Sequence, residues 1–210
     1  MLRKILSIRL IVVLIVAVAL SVPLAATASA PSGFTDSLVA SVAAPTALAF
    51  TPDGRLLVTS QSGALQVVQD GTLLATPALN LGPRICSDDE RGLLGIATDP
   101  AFATNHFIYL YYTAAIATGC VNRVSRFVLS DANIVDPTSE IALLDNIPSP
   151  AGNHNGGDIQ FGHDGYLYVS VGDGGCDYDG DSGCAGDNAA ARDLNVLLGK
   201  VLRITSDGGI

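Results

Sequence analysis

Apolar-rich runs of five or six residues, broken by Asp-Gly and Pro-containing turns, fill most of the chain after residue 44. Leu48-Ala-Phe-Thr-Pro-Asp-Gly-Arg-Leu-Leu-Val-Thr59 is two such runs about a turn, and Ile159-Gln-Phe-Gly-His-Asp-Gly-Tyr-Leu-Tyr-Val-Ser170 matches it position by position at an offset of 111. A third copy with a longer turn lies between them, Leu93–Pro100 and then Phe107–Tyr112, offset by 48 from the first copy and by 63 from the last. β-Branched and aromatic residues, with Gly, Asp and Pro at the breaks, predict hairpins. The hairpin of the last copy pairs Gly157–Phe161 with Leu167–Val171; further strands are predicted at Ala64–Val68, Arg123–Leu129 and Lys200–Ile204, and one alanine-rich helix at about Asn188–Leu198. Short strands in fours at a period of about fifty residues mark β-propeller blades. The pattern therefore predicts an all-β propeller of which this chain holds about three blades. Three blades do not close a ring and protect its edges, so an incomplete N-terminal part of a larger propeller is expected; a ring closed by two chains is the alternative.

The stretch His154–Gly175, HNGGDIQFGHDGYLYVSVGDGG, adds chemistry to the pattern. A hairpin folded about Asp164 brings His154, ten residues before it, close to Asp173, nine residues after. Opposed side chains of an antiparallel pair lie about 5 Å apart at Cβ, so a His–carboxylate contact is within reach. That pairing orients a general base and stabilises its imidazolium, although two loop polar groups satisfying a turn would look the same. The repeat weighs for the first reading. At the offset of 63, Asn153 aligns with Glu90 and His154 with Arg91, each pair immediately before the first strand of its blade. First strands are the innermost of a propeller. His154, Asp173, Asn153 and Glu90 are thus expected to gather at one mouth of the central channel, in a concave polar site.

The start of the chain departs from the hairpin pattern. Arg3, Lys4 and Arg9 precede the uncharged, mostly apolar run Leu10–Leu24, and Ala28-Ser29-Ala30 follows. This is the layout of an export signal cleaved after Ala30. Residues 1–30 are expected to be a signal peptide, 31–210 the propeller portion, and the protein secreted or periplasmic with no membrane attachment after cleavage; an uncleaved anchor is the alternative, because the run approaches spanning length. Removal takes three of the 11 basic residues and none of the 20 acidic ones, leaving eight against 20 and a formal charge of −12. That argues against nucleic acid or anionic lipid as partner, since both need a basic footprint. The four cysteines, Cys86, Cys120, Cys176 and Cys184, allow three pairings, of which neighbourhood favours Cys86–Cys120 and Cys176–Cys184. No pair has CxxC spacing and His106, His154 and His163 are scattered, which speaks against zinc. In an exported chain disulfides are the default.

Four segments, Glu90-Arg-Gly-Leu-Leu-Gly-Ile-Ala-Thr-Asp-Pro100, Asn122-Arg-Val-Ser-Arg-Phe127, His154–Gly175 and Leu198-Gly-Lys-Val-Leu-Arg-Ile204, resemble in order and spacing the soluble glucose/sorbosone dehydrogenases. These are the aldose sugar dehydrogenases that depend on pyrroloquinoline quinone (PQQ), and the resemblance covers about Pro45–Gly208. It implies a six-bladed propeller with about half present here, a small sugar as partner, and PQQ with Ca²⁺ as cofactors; the electron acceptor stays unknown. The implied reaction oxidises the anomeric carbon of an aldose to the lactone, hydride passing to PQQ. By the same resemblance His154 is the catalytic base, Asp173 its carboxylate partner, and Glu90 and Asn153 stand near sugar and quinone. Glu90 stands where some members have glutamine and Asn153 where some have aspartate. The family's PQQ-gripping basic residues and calcium ligands belong to later blades, so this chain in isolation is expected to be inactive.

Two other functions are compatible with the pattern: a non-catalytic propeller that binds other proteins, and a calcium-dependent, lactonase-like hydrolase drawing on Glu90, Asn153 and Asp173. Asp177-Tyr-Asp179-Gly-Asp181-Ser-Gly183 resembles the start of a calcium loop. Ser182 and Asn188 occupy the places of its sixth-position glycine and twelfth-position glutamate, so a solvated acidic loop clipped by Cys176–Cys184 is expected, and no metal ligand is assigned. Tyr109, Tyr111 and Tyr112 are expected to pack with one exposed hydroxyl, Arg123 and Arg126 to pair with surplus acids, and His106 and His163 to sit in turns.

Overall fold

The apolar runs fold as antiparallel strands in the computed structural model, which describes residues 30–175 and 189–209. The expected signal peptide up to residue 29, the expected Cys176–Cys184 pairing and residues 177–183 lie outside the described residues. Two units divide the chain, Met1–Leu38 and Val39–Ile210. The described part of the first holds a turn in which Phe34 N–H donates to the Pro31 carbonyl (3.0 Å). Among the described residues every strand belongs to the second.

The first sheet is the meander β1 (Pro45–Phe50), β2 (Leu56–Ser60), β3 (Ala64–Gln69) and β4 (Thr72–Leu73), with β5 (Leu79–Asn80) also paired to β3. The second is β6 (Leu93–Thr98), β7 (Phe107–Ile116), β8 (Gly119–Val128) and β9 (Ile141–Pro148), and a four-residue helix, Phe102–Asn105, fills its longer first turn. The third is β10 (Gly156–Phe161), β11 (Leu167–Val171) and β12 (Lys200–Ile204). These three all-antiparallel sheets are the expected blades. Successive side chains of a strand point to opposite faces, so the middle blade buries both. Ile108 and Leu110 pack with Leu57, Leu65 and Val67 of the first blade, while Tyr109 and Tyr111 pack with Ile159, Leu167 and Val169 of the third.

Two elements differ from expectation. The strand expected at Arg123–Leu129 starts earlier, at Gly119, because β8 pairs with β7 over all ten residues of each. No α-helix forms over the described residues 189–198, which hold only the 3₁₀ turn Ala190–Arg192. Just after it the Asp193 carboxylate accepts the Asn195 backbone N–H (2.9 Å). A short polar side chain that takes up a backbone donor in this way competes with the helix.

The innermost strands share one irregularity. Each carries a register shift near its start, between Pro45 and Ala47, between Leu93 and Gly95, and between Gly156 and Ile159. At the offsets of the repeat these are the same place. The blades touch here: Thr46 Oγ1 donates to the Leu93 carbonyl (2.6 Å), and a Cβ at Gly95 would stand 1.9 Å from the Gly157 carbonyl oxygen. Glycine at 95 is what lets the two inner backbones meet.

Candidate functional site

The register shift decides which side chain faces Asp173. Near the turn of the third-blade hairpin, Ile159 pairs with Val169; beyond the bulge, Gly156 pairs with Val171. Continued two residues outwards, the shifted register sets His154 opposite Asp173, whereas the unshifted one would set Asn155 there. His154 Nδ1 lies 2.9 Å from Asp173 Oδ1, with the side chains 37% and 25% exposed. An ionised carboxylate only accepts, so this bond puts the proton on Nδ1 and leaves Nε2 as the basic nitrogen. Asp173 is itself steadied by the Gly175 backbone N–H, 3.1 Å from Oδ1.

The main chain of His154 is held as firmly as its ring. It adopts the left-handed conformation, φ 55°, which costs a non-glycine residue about 1–2 kcal/mol. Its N–H donates to Glu90 Oε2 (2.8 Å), its carbonyl accepts from Gly174 N–H (3.2 Å), and Glu90 N–H donates in turn to the Gly152 carbonyl (3.0 Å). The carbonyl presses against Gly172, where a Cβ would stand 1.9 Å from it. The segment carrying Glu90 is anchored by the disulfide Cys86–Cys120, Cα–Cα 6.2 Å, and by Gln61 of the first blade, whose Nε2 donates to the carbonyls of Asp89 (2.6 Å) and Arg91 (3.0 Å). All three blades thus reach the same end.

Of the residues expected here, Glu90, His154 and Asp173 are joined directly. Asn153 sits on the same turn, and its Oδ1 is buried with no hydrogen-bond partner. An imidazole held by a carboxylate is able to take a proton from a hydroxyl group. The carboxylates of PQQ need cations in addition, which these side chains do not supply. The guanidinium of Arg91 is already engaged by Ser149 Oγ (3.0 Å), the Ser149 carbonyl (2.6 Å) and Asp88 Oδ2 (2.8 Å). Among the described residues the group able to gather round a metal is Cys86, Asp88 and Cys120, and its two sulfurs form the disulfide.

The residues missed in the sequence lie behind His154. Asn155 is 2% exposed; its Oδ1 accepts from Ser149 Oγ (2.7 Å) and Asn122 Nδ2 (3.1 Å), and its Nδ2 donates to the Gly152 carbonyl (2.9 Å). Thr113 Oγ1 donates to Asn122 Oδ1 (2.8 Å) and continues the chain of bonds into the second blade. The Tyr111 hydroxyl donates to the Asn155 carbonyl (2.8 Å), and burial pushes that hydroxyl's pKa above the usual phenol range. The expected exposed tyrosine hydroxyl is not found: Tyr109 donates to Asp99 Oδ2 (2.7 Å) and Tyr112 to Glu140, so all three phenols are buried and bonded. Arg123 pairs with Asp145 through two bonds of 2.9 and 2.8 Å as expected, whereas Arg126 lies over the Phe107 ring and donates to the Ser206 carbonyl (3.2 Å). An Asn next to His154 in a glycine-rich turn was the one available signal for Asn155. Its partners Gly152, Ser149, Asn122 and Tyr111 lie 3 to 44 residues upstream, and nothing in the sequence pointed from them to Asn155.

The chain is 29% identical over 168 residues to the aldose sugar dehydrogenase YliI of Escherichia coli, covering 79% of this chain and 42% of the relative. It is 28% identical over 178 residues to the Hedgehog-interacting protein of Mus musculus, covering 78% and 24%. The solved structure of the PQQ-bound aldose sugar dehydrogenase from Streptomyces coelicolor superposes with a TM-score of 0.66 at 31% identity, covering 80% of this chain and 46% of that one. The chain spans less than half the length of each of these relatives. The model of the family described as Glucose / Sorbosone dehydrogenase matches residues 42–210, and the chain belongs to that family.

Proposed function

We propose that the protein is an exported sugar dehydrogenase that oxidises the anomeric carbon of an aldose to the lactone, with PQQ and Ca²⁺ as cofactors. The observation that carries this reading is the 2.9 Å contact of His154 Nδ1 with Asp173 Oδ1 at the open end of the third blade. PQQ, when bound, supplies the two-electron acceptor for the hydride. The chain supplies the proton chemistry: His154 Nε2 takes the proton of the anomeric hydroxyl as the C–H hydride departs, and Asp173 stabilises the resulting imidazolium. In this reading Asn153, on the same turn, contributes its amide near the sugar and quinone, and Glu90 the carboxylate oxygen that His154 N–H does not occupy. Removal of residues 1–30 on export accords with the Cys86–Cys120 disulfide, which belongs in an oxidising compartment.

The complete open reading frame, expressed and reconstituted with PQQ and Ca²⁺, is expected to reduce a dye acceptor with one or more of a panel of aldoses. Activity no higher than that of the His154→Ala variant would sink the dehydrogenase. The likeness to the Hedgehog-interacting protein favours a second reading, a propeller whose end holds another protein, and a folded but redox-silent protein would leave that reading standing.

A further inference from the structure

We infer that Asn155 is the positioning residue of His154, docking the catalytic turn onto the second blade; this rests on the reading of His154 as the base. The turn cannot fix its own shape. Gly156 and Gly157 follow at φ 70° and 125°, Gly152 lies three residues before Asn155, and His154 itself is left-handed at φ 55°. Glycine-rich backbone of this kind has many conformations to choose from. Glu90 holds it from the exposed side, through the His154 N–H and the Gly152 carbonyl.

Asn155 closes the other side. Both lone pairs of its Oδ1 are used, by Ser149 Oγ and Asn122 Nδ2, and its Nδ2 returns to the Gly152 carbonyl within the turn. Its own carbonyl accepts from the Tyr111 hydroxyl (2.8 Å) and from Gly172 N–H (3.3 Å). Four of these five bonds tie the turn to β7, to β8, to the segment after β9 and to the end of β11, the element that leads into Asp173, and the fifth braces the turn itself. Asn122, Ser149 and Asn155 are 1%, 4% and 2% exposed, so the anchor is dry and each lost bond leaves a buried polar group unpaired. A rigid turn, bonded on both sides, fixes where the His154 ring meets Asp173. Displacing a catalytic group by about 1 Å lowers the rate about a hundredfold.

The test uses the complete protein, as Asn155→Ala, as the milder Ser149→Ala, and as Val67→Ala, a core variant of the first blade that shares no contact with the turn. ¹⁵N-histidine NMR reads the hydrogen-bonded Nδ1–H of His154, and steady-state kinetics with PQQ and an aldose separate kcat from KM. Asn155→Ala is expected to lose the Nδ1–H signal and about a hundredfold in kcat, with KM changed less than about threefold. Ser149→Ala is expected to weaken the signal and lower kcat about tenfold, and Val67→Ala to keep both while lowering Tm. A folded Asn155→Ala protein that keeps the signal and its kcat overturns the inference. If that variant does not fold, an unchanged signal and kcat in Ser149→Ala overturn it instead. Should the wild-type protein oxidise no aldose, the proposed function fails, while the NMR signal still decides whether Asn155 positions His154.

Discussion

At one end of the sheets Gly54 N–H donates to the Thr51 carbonyl and, 111 residues later, Gly165 N–H donates to the Gly162 carbonyl, both at 2.9 Å. Thr51 N–H to Arg55 O (3.0 Å) recurs as Gly162 N–H to Tyr166 O (2.9 Å), and Asp53 and Asp164 each accept a backbone N–H two residues on. At the other end the bulge recurs with the main-chain bond just outside it (Gln61 N–H to Ala44 O, Thr113 N–H to Gly92 O, Gly172 N–H to Asn155 O), but the side-chain contacts do not. Glu90 and Asn153 occupy equivalent places with different bonds, and the contacts there run between blades: His154 to Glu90, Asn155 to Asn122, Gln61 to Asp89 and Arg91. Repetition serves the end where a local turn suffices. The end that carries the candidate chemistry uses residues that differ between copies, on a register the copies share.

Substitutions at the two ends should separate accordingly. His154→Ala should have the largest effect, lowering kcat by about a thousandfold with little change in Tm, as removal of a general base does; retained turnover in the reconstituted protein would erase the distinction between the ends. Replacing Cys86 and Cys120 together by serine opens a disulfide between residues 34 apart and should cost about 3 kcal/mol of stability, read as a fall in Tm. Activity should fall with it, because the Glu90 segment loses its tie to β8. Gly172→Ala and Gly54→Ala form a matched pair. The first would place a Cβ 1.9 Å from the His154 carbonyl and should cost about 2 kcal/mol together with activity; the second meets nothing within 4 Å and should cost about 1 kcal/mol, from its φ of 88°, with activity kept. Equal activities for the two would show that the His154 turn tolerates displacement.

The smallest effect belongs to the turn end. The Arg55 guanidinium, 3.0 Å from Asp53 through Nε, holds that carboxyl down to about 2 from its model-compound value of 3.8. A carboxylate depressed in the folded state stabilises it above the unfolded pKa, and the contribution disappears as pH falls through the folded value. Asp53 is 52% exposed, so solvent screening reduces the contribution to about 1 kcal/mol or less. Asp53→Asn should therefore lower Tm modestly at pH 7, by an amount that shrinks between pH 4 and pH 2, and leave kcat unaltered. A gap that stays constant down to pH 2 would mean that the Arg55 contact is not its source.

Much of this was legible in the sequence, for reasons that differ by residue. Asp53-Gly54 and Asp164-Gly165 announce turns because their chemistry is local: a side chain two residues from the backbone it bonds, and a glycine for the left-handed corner. The proximity of His154 and Asp173 also followed from counting along one hairpin. The helix expected at about Asn188–Leu198 failed over the described residues because one local competitor, Asp193, outweighs a run of alanines. The tyrosines were expected to leave a hydroxyl exposed because alternation along β7 reveals which face each takes, not that a further blade covers that face.

By itself, then, the sequence determined the three-copy all-β repeat, its turns, and the proximity of His154 to Asp173, since each rests on residues within about twenty positions of one another or on alignment of the copies. Only the tertiary structure decided the bulge that sets the register, the grip of Glu90 on the His154 main chain, and the buried chain Thr113–Asn122–Asn155–Ser149 behind it. The physical reason is range. Burial is what makes these polar groups seek partners, and which partners they find depends on how the blades stack, a property that no single stretch of sequence carries.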